Sequence, residues 1–246
     1  SLGSGVDLGE HVRVVPAPTT GPDAGAVFAA GVEAAIRDMQ RHGIKPAALI
    51  VDTVFSSDGV FTDPKGFLAP AVAAIRAAGG LFIADEVQPG FGRTGEAMWG
   101  FQRHGLIPDM VSLGKPMGNG YPVAGLVMQP RVIEAFGSKA RYFNTFGGNP
   151  VSAAAALAVL DVIRDEGLQE NATQVSTYIA ARMQALRHPL LRDSRSNGLF
   201  FGLEFQTEDG EPATRFCADL VASMVERGVL MNVIGAGRNI LKIRPP

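Results

Sequence analysis

Two residues of this chain have surroundings suited to chemistry. Asp85 closes the apolar run Leu81-Phe-Ile-Ala, and Lys115 sits in Gly114-Lys-Pro-Met-Gly-Asn-Gly120, just past the apolar run Met110 to Leu113. If both runs are parallel strands, the acid and the amine emerge at one carboxyl edge of a sheet. A lone lysine is ordinarily a solvated surface cation. One partly withdrawn from water at a buried strand end is a usable amine nucleophile. The pair suits pyridoxal phosphate, which needs an amine to hold it and a carboxylate to keep its ring nitrogen protonated. Gln88, one turn beyond Asp85, is placed to bond the phenolic oxygen of such a ring.

Rival readings of the same stretches are weaker. Phe82-Ile-Ala-Asp85-Glu86 resembles the acidic strand end of a phosphate-loop NTPase, but the required glycine-rich loop and lysine must lie upstream, and Gly114-Lys115 lies downstream. Gly90-Phe-Gly-Arg-Thr-Gly95 spells a dinucleotide fingerprint, the basis for a dehydrogenase. No strand leads directly into it and no helix comes after it, so these glycines read as a loop shaped against a ligand or a partner chain. Asp85 and Glu86 are adjacent, so on a strand they point to opposite sides and cannot act as a pair. His11, His42, His104 and His188 lack metal-ligand spacing and read as surface or capping residues; no metal site is expected. Tyr142-Phe-Asn-Thr145-Phe-Gly-Gly-Asn-Pro150 precedes a helix and reads equally as a phosphate site or as an ordinary loop and cap.

Composition bounds the rest. The 246 residues, 46% hydrophobic, make one large domain or two modest ones. A net charge of −2 gives no electrostatic reason to expect nucleic acid or an anionic membrane as a partner. The single cysteine, Cys217, cannot pair internally and reads as a small apolar filler of a helix; a cytoplasmic location is expected. No apolar run approaches the ~20 residues of a membrane helix. The opening Ser1-Leu-Gly-Ser-Gly5 lacks the basic start and apolar stretch of a secretory signal.

Apolar spacing predicts helices over 27–42, 67–78, 149–164, 169–187 and 212–227. Short apolar runs predict strands at 47–51, 81–84 and 110–113, with a further apolar stretch at 123–128. Strands alternating with helices predict an α/β fold whose parallel sheet is covered on both faces. Further strands at 198–205, 229–232 and 239–244 predict a smaller α+β part, giving expected domains 1–165 and 166–246.

Phe82-Ile-Ala-Asp-Glu-Val-Gln88, Gly90 to Gly95, Gly114-Lys115 and Phe143-Asn-Thr-Phe-Gly-Gly-Asn-Pro150 occur in this order with suitable spacing. Together they resemble the class III aminotransferases, pyridoxal-phosphate enzymes of fold type I. Within the class, Gly114 to Gly120 and Asn239 to Pro246 most resemble the branch of alanine–glyoxylate aminotransferase 2-like proteins and ethanolamine-phosphate phospho-lyases. The resemblance implies that Lys115 is the Schiff-base lysine and proton shuttle and that Asp85 pairs with the ring nitrogen. It further implies that Val87 lies against the ring, that Gln88 meets the phenolic oxygen, and that Thr145 reaches the cofactor phosphate of the neighbouring subunit of a homodimer. The substrate would be a small amine or amino acid, with a keto or aldehyde acceptor.

Two positions depart from many amino-acid transaminases of the class: Lys242 stands where an arginine grips the substrate carboxylate, and Ser57 lies near an expected glutamate. A lysine cannot reproduce the planar fork. An amino-alcohol phosphate therefore becomes a candidate substrate, with phospho-lyase as the alternative activity, while Arg244 is the basic residue that could substitute for the missing arginine in transamination of an α-amino acid. Relatives carry long additional segments, so a fragment of a longer polypeptide is expected, inactive alone or a non-catalytic module.

Overall fold

Residues 7–246 are described by the structure, a computed structural model; the Ser1 to Gly5 opening lies outside them. Strands β1 (Ala48–Asp52), β2 (Leu81–Asp85), β3 (Met110–Leu113) and β4 (Gly125–Met128) form one sheet in that order. The first three run parallel, with Asp52 opposite Asp85 and Asp85 opposite Ser112. β4 is antiparallel to β3. Parallel neighbours need a crossover of roughly a dozen residues or more, usually helical. Between β3 and β4 the chain makes only a short 3-10 turn at Lys115–Gly118.

Helix α1 (Ala24–Arg41) buries Phe28, Ala29, Val32 and Ile36, a face at helical spacing. Helix α2 (Ala69–Ala77) starts with Pro70 in its first turn and gives way to Gly79 at φ 82°. Both helices share one core with Phe82 and Ala84 of β2. The expectation of a sheet covered on both faces is not met among the described residues: Ile50, on the far face of β1, is 62% exposed. Periodicity reported one covered face correctly and could not report the other.

At the amino end of β3 lies a fully buried carboxylate. Asp109 accepts hydrogen bonds from the Phe82 amide (2.8 Å) and Arg76 Nη2 (3.2 Å), and pairs with Arg131. Replacing it by alanine leaves the buried Phe82 N–H without an acceptor. Asp109→Ala is expected to cost about 2–3 kcal/mol in a denaturant titration, mostly from that amide, because both arginines can return to water.

Helix α3 (Pro130–Gly137) was not expected; it is short and starts on a proline. Helix α4 (Pro150–Asp165) begins where predicted, capped by Asn149, whose side chain accepts from Ser152 N. Helix α5 (Leu168–Gln184) comes next.

The second sheet contains β5 (Leu191–Asn197), β6 (Phe200–Phe205), β7 (Asn232–Ile234) and β8 (Ile240–Ile243), in the order β5-β6-β8-β7, all antiparallel. β5 escaped the sequence reading because its side chains are mostly polar, and β7 starts at Asn232, where the predicted strand ends. Helix α6 (Thr214–Glu226) closes this sheet, with Cys217 fully buried beside Phe201, Phe205 and Leu241, as an apolar filler should be. A third cluster, Val54, Val60, Phe200, Ile234 and Ile240, ties the loop after β1 to the second sheet. Among the described residues no helix is long and apolar enough to cross a membrane, and no group of histidine, cysteine or carboxylate side chains could hold a metal.

Candidate active site

The carboxyl ends of β1, β2 and β3 bring three acids and one lysine to a common edge. Each acid has a different fate. Asp52 is spent on the loop just beyond it: its carboxylate accepts from Val54 N (3.1 Å), Ser56 N (3.0 Å) and Ser56 Oγ. Burial raises its pKa, and the neighbouring Asp85 adds to the effect. Glu86 is spent on the fold as well. Its side chain points away from Asp85, as strand alternation requires, and is fully buried. It accepts from Gly100 N (2.8 Å), Phe101 N (2.9 Å) and Thr53 Oγ1 (2.9 Å), and burial raises its pKa.

Asp85 is the acid left for a ligand. Its Oδ1 accepts from Val87 N (3.1 Å) and Ser112 Oγ (3.1 Å), which fixes the carboxyl plane from β3 and from its own turn. Its Oδ2 takes no hydrogen bond among the described residues. A cavity of about 510 Å³ runs along α1 and β1 and reaches Asp52, Ser57, Asp85 and Gln88 at one end; Lys115 and Val87 do not line it. A carboxyl oxygen left without a donor among the described residues fits the protonated ring nitrogen of pyridoxal phosphate.

Lys115 leaves β3 after Gly114, whose open face lies beside Val87: a Cβ there would stand 3.5 Å from both Val87 methyl groups. It has φ 26°, a left-handed conformation strained for a lysine. The expectation of a partly desolvated amine is corrected: Lys115 is exposed, because Pro116 turns the chain away from the strand immediately after it.

Gln88 is held at both ends. Its Nε2 donates to Ser57 Oγ (3.1 Å), and its Oε1 accepts from Lys242 Nζ (3.0 Å) and Arg244 Nη1 (3.4 Å). The two departures noted in the sequence, Ser57 and Lys242, therefore meet on one amide. Lys242 is buried on β8, 5.7 Å from the Phe200 ring centroid. Burial pushes its pKa down to about 8, and repulsion from Arg244 and Lys115 adds to this. Arg93, which donates to Pro245 O (3.0 Å), is lowered by burial and then by Arg244. No spacing rule links residue 88 to residue 242, so this contact was invisible in the sequence.

Among the described residues no hydrogen bond ties Thr145 to this group. It lies in an exposed loop where Asn144 Oδ1 accepts from Phe146 N and Gly147 N, so two amides of a possible phosphate cradle are already engaged. The Gly90 to Gly95 loop contacts its own chain: a Cβ on Gly95 would stand 2.5 Å from Thr173 Oγ1 of α5, and one on Gly90 would stand 2.8 Å from Glu86 O. At these two positions the close approach that requires glycine is made by the chain itself. His104, expected at the surface, is buried: its Nε2–H donates to Thr53 O (2.9 Å), and burial lowers its pKa to about 4.

The family model "Aminotransferase class-III" matches residues 11–246. The chain is 36% identical to ethanolamine-phosphate phospho-lyase homolog 1 of Caenorhabditis elegans, over 91% of this chain and 49% of that protein. It is 37% identical to the alanine–glyoxylate aminotransferase 2-like protein of Drosophila melanogaster, over 96% of this chain and 51% of that one. The chain thus spans about half the length of these curated relatives. An Arthrobacter phospholyase solved in complex with phosphoethanolamine superposes with a TM-score of 0.92 at 39% identity, covering 100% of this chain and 61% of that one. A Bacillus anthracis aminotransferase superposes at 0.81 with 29% identity, covering 92% and 54%. The chain belongs to the class III aminotransferases, and its α/β architecture is that of fold type I.

Proposed function

We propose that this chain carries the lysine and aspartate of a pyridoxal-phosphate-dependent aminotransferase, which moves an amino group from an amine or amino acid to a keto or aldehyde acceptor. The observation that carries the reading is Asp85 at the end of β2, with Oδ2 unengaged among the described residues, beside the strand that delivers Gly114-Lys115. When bound, the cofactor supplies an electron sink for the charge left at the substrate carbon. Asp85 Oδ2 holds the proton on the ring nitrogen, and Ser112 and Val87 keep the carboxylate in place. Lys115 Nζ would hold the cofactor between turnovers, and as a free amine would take and return the α-proton. Val87 would lie against the ring, and Gln88 would face its phenolic oxygen.

Thr145 belongs to the same reading, as a contact to the cofactor phosphate of a second copy in a homodimer. The exposed aromatic residues Tyr142, Phe143 and Phe146 around it support burial against such a copy. The division into domains 1–165 and 166–246 is also proposed; the separate cores of the two sheets support it. A cytoplasmic location is consistent with the lone cysteine, and fractionation that found the protein in an organelle would contradict it. The activity test uses the full-length protein. Amino transfer should require both donor and acceptor and should vanish in Lys115→Ala.

A phospho-lyase is the second reading, and the buried Lys242 favours it. Lys242 and Arg244 both reach Gln88 and repel each other, so a phosphate group beside them would relieve that repulsion. A pH dependence is built into this arrangement. Lys242 is cationic below about 8 and neutral above it, so kcat/KM for an amino-alcohol phosphate should fall as pH rises through about 8. Phosphate released with no acceptor present would select this reading over transamination.

A further inference from the structure

We propose that Arg195, in the second sheet, is a positioning residue for Gln88, acting through a strained loop at the end of β1. This rests on the reading above in one respect, that Gln88 faces the cofactor. The loop runs from Thr53 to Val60. Phe55 sits at φ 48° and Val60 at φ 62°, left-handed conformations that are costly for a bulky and a β-branched residue. Such backbone persists only where its surroundings fix it.

Part of the hold is local. Phe55 O accepts from the amides of Asp58 (3.0 Å), Gly59 (3.1 Å) and Val60 (3.0 Å), while Asp52 takes those of Val54 and Ser56. The rest comes from the second sheet. Gly235 N donates to Ser57 O (3.2 Å), and Arg195 Nε donates to Gly59 O (2.9 Å) across 136 positions of sequence. Gly202, the β6 partner of Arg195, leaves room for the same carbonyl: a Cβ there would stand 3.1 Å from Gly59 O.

Arg195 is built into the fold for this contact. Its side chain is only 10% exposed, its Nη1 donates to Asp193 (2.7 Å) and Glu204 (2.7 Å), and its guanidinium lies 4.7 Å from the Phe61 ring centroid. Nη2 is buried without a partner among the described residues. A guanidinium neutralised by two carboxylates, with both N–H groups of Nη2 left unmet, is costly to bury for stability alone. The Nε contact gives it a directed role. The loop it holds presents Ser57 Oγ to Gln88 Nε2, while Lys242 of the same sheet takes Gln88 Oε1. The second sheet thereby sets both ends of the amide.

The test compares Arg195→Lys, Arg195→Met, Ser57→Ala and Gln88→Ala in full-length protein loaded with pyridoxal phosphate. Two readouts are independent of turnover: hydrogen exchange of peptides covering 53–60, and the position of the visible band of the bound cofactor. Lysine keeps a cation beside Asp193 and Glu204 but cannot hold them and Gly59 O with one fork. Arg195→Lys should raise exchange in 53–60 by about tenfold, the worth of a hydrogen bond to a charged group. It should also move the band in the direction seen for Ser57→Ala and Gln88→Ala, with Arg195→Met moving it further. Kinetically, kcat should fall more than KM rises. If Gln88→Ala moves the band while both Arg195 variants leave it at the wild-type position, Arg195 is merely structural and the proposal is overturned. If Gln88→Ala itself leaves the band unmoved, the role given to Gln88 fails. The exchange measurement then judges the hold of Arg195 on the loop by itself.

Discussion

Lys115→Ala is expected to lower kcat by about a thousandfold or more, because nucleophile and proton shuttle are lost together. Folding stability should stay within about 0.5 kcal/mol, since Lys115 is exposed and makes no hydrogen bond among the described residues. A surface lysine without a role would leave both quantities unchanged, and a structural lysine would change stability first. Steady-state kinetics and thermal unfolding on the same preparation separate the three cases. Lys115→Arg should fail equally, because a guanidinium stays protonated and cannot act as the amine.

Asp85 and Glu86 should divide in the opposite sense. Asp85→Asn keeps the shape of the side chain but removes the charge that would hold a proton on the ring nitrogen. A fall in kcat of about a hundredfold or more is expected, typical of removing a preorganised electrostatic contact at a reacting centre. Unfolding should move little, since an amide oxygen can still accept from Val87 N and Ser112 Oγ. Glu86→Ala strands three donors at once: Gly100 N, Phe101 N and Thr53 Oγ1. That change should cost about 3–5 kcal/mol of folding stability, measured by denaturant titration. If Asp85→Asn unfolded the protein and Glu86→Ala did not, the roles of the two acids would be reversed.

The parts of the site legible in the sequence were those written in local pattern. The apolar runs 81–84 and 110–113 are parallel strands whose residues need no polar face, so they stand out, and the carboxyl end of each strand displays the next residue along the chain. Alternation alone separated Asp85 from Glu86. Strand direction was not written there. β4 looks like any apolar run, and only the short connection after β3 hints that it runs back. β5 was hidden because Arg192, Asp193, Ser194 and Arg195 present as a polar loop; Arg195 meets Glu204 and Gly59, which lie on other elements. His104 reads as a surface residue for the same reason, its partner being the Thr53 carbonyl. Lys242 stands out in the sequence only through the arginine it replaces, and its burial and its bond to Gln88 come from tertiary packing.

The most direct test of the central assignment is chemical. Full-length protein loaded with pyridoxal phosphate is reduced with borohydride, digested and examined by peptide mass analysis. The cofactor should be fixed to the peptide containing Gly114-Lys115, and the label should disappear in Lys115→Ala. A label on a different lysine, or on none, would contradict the assignment of Lys115 as the residue that holds the cofactor.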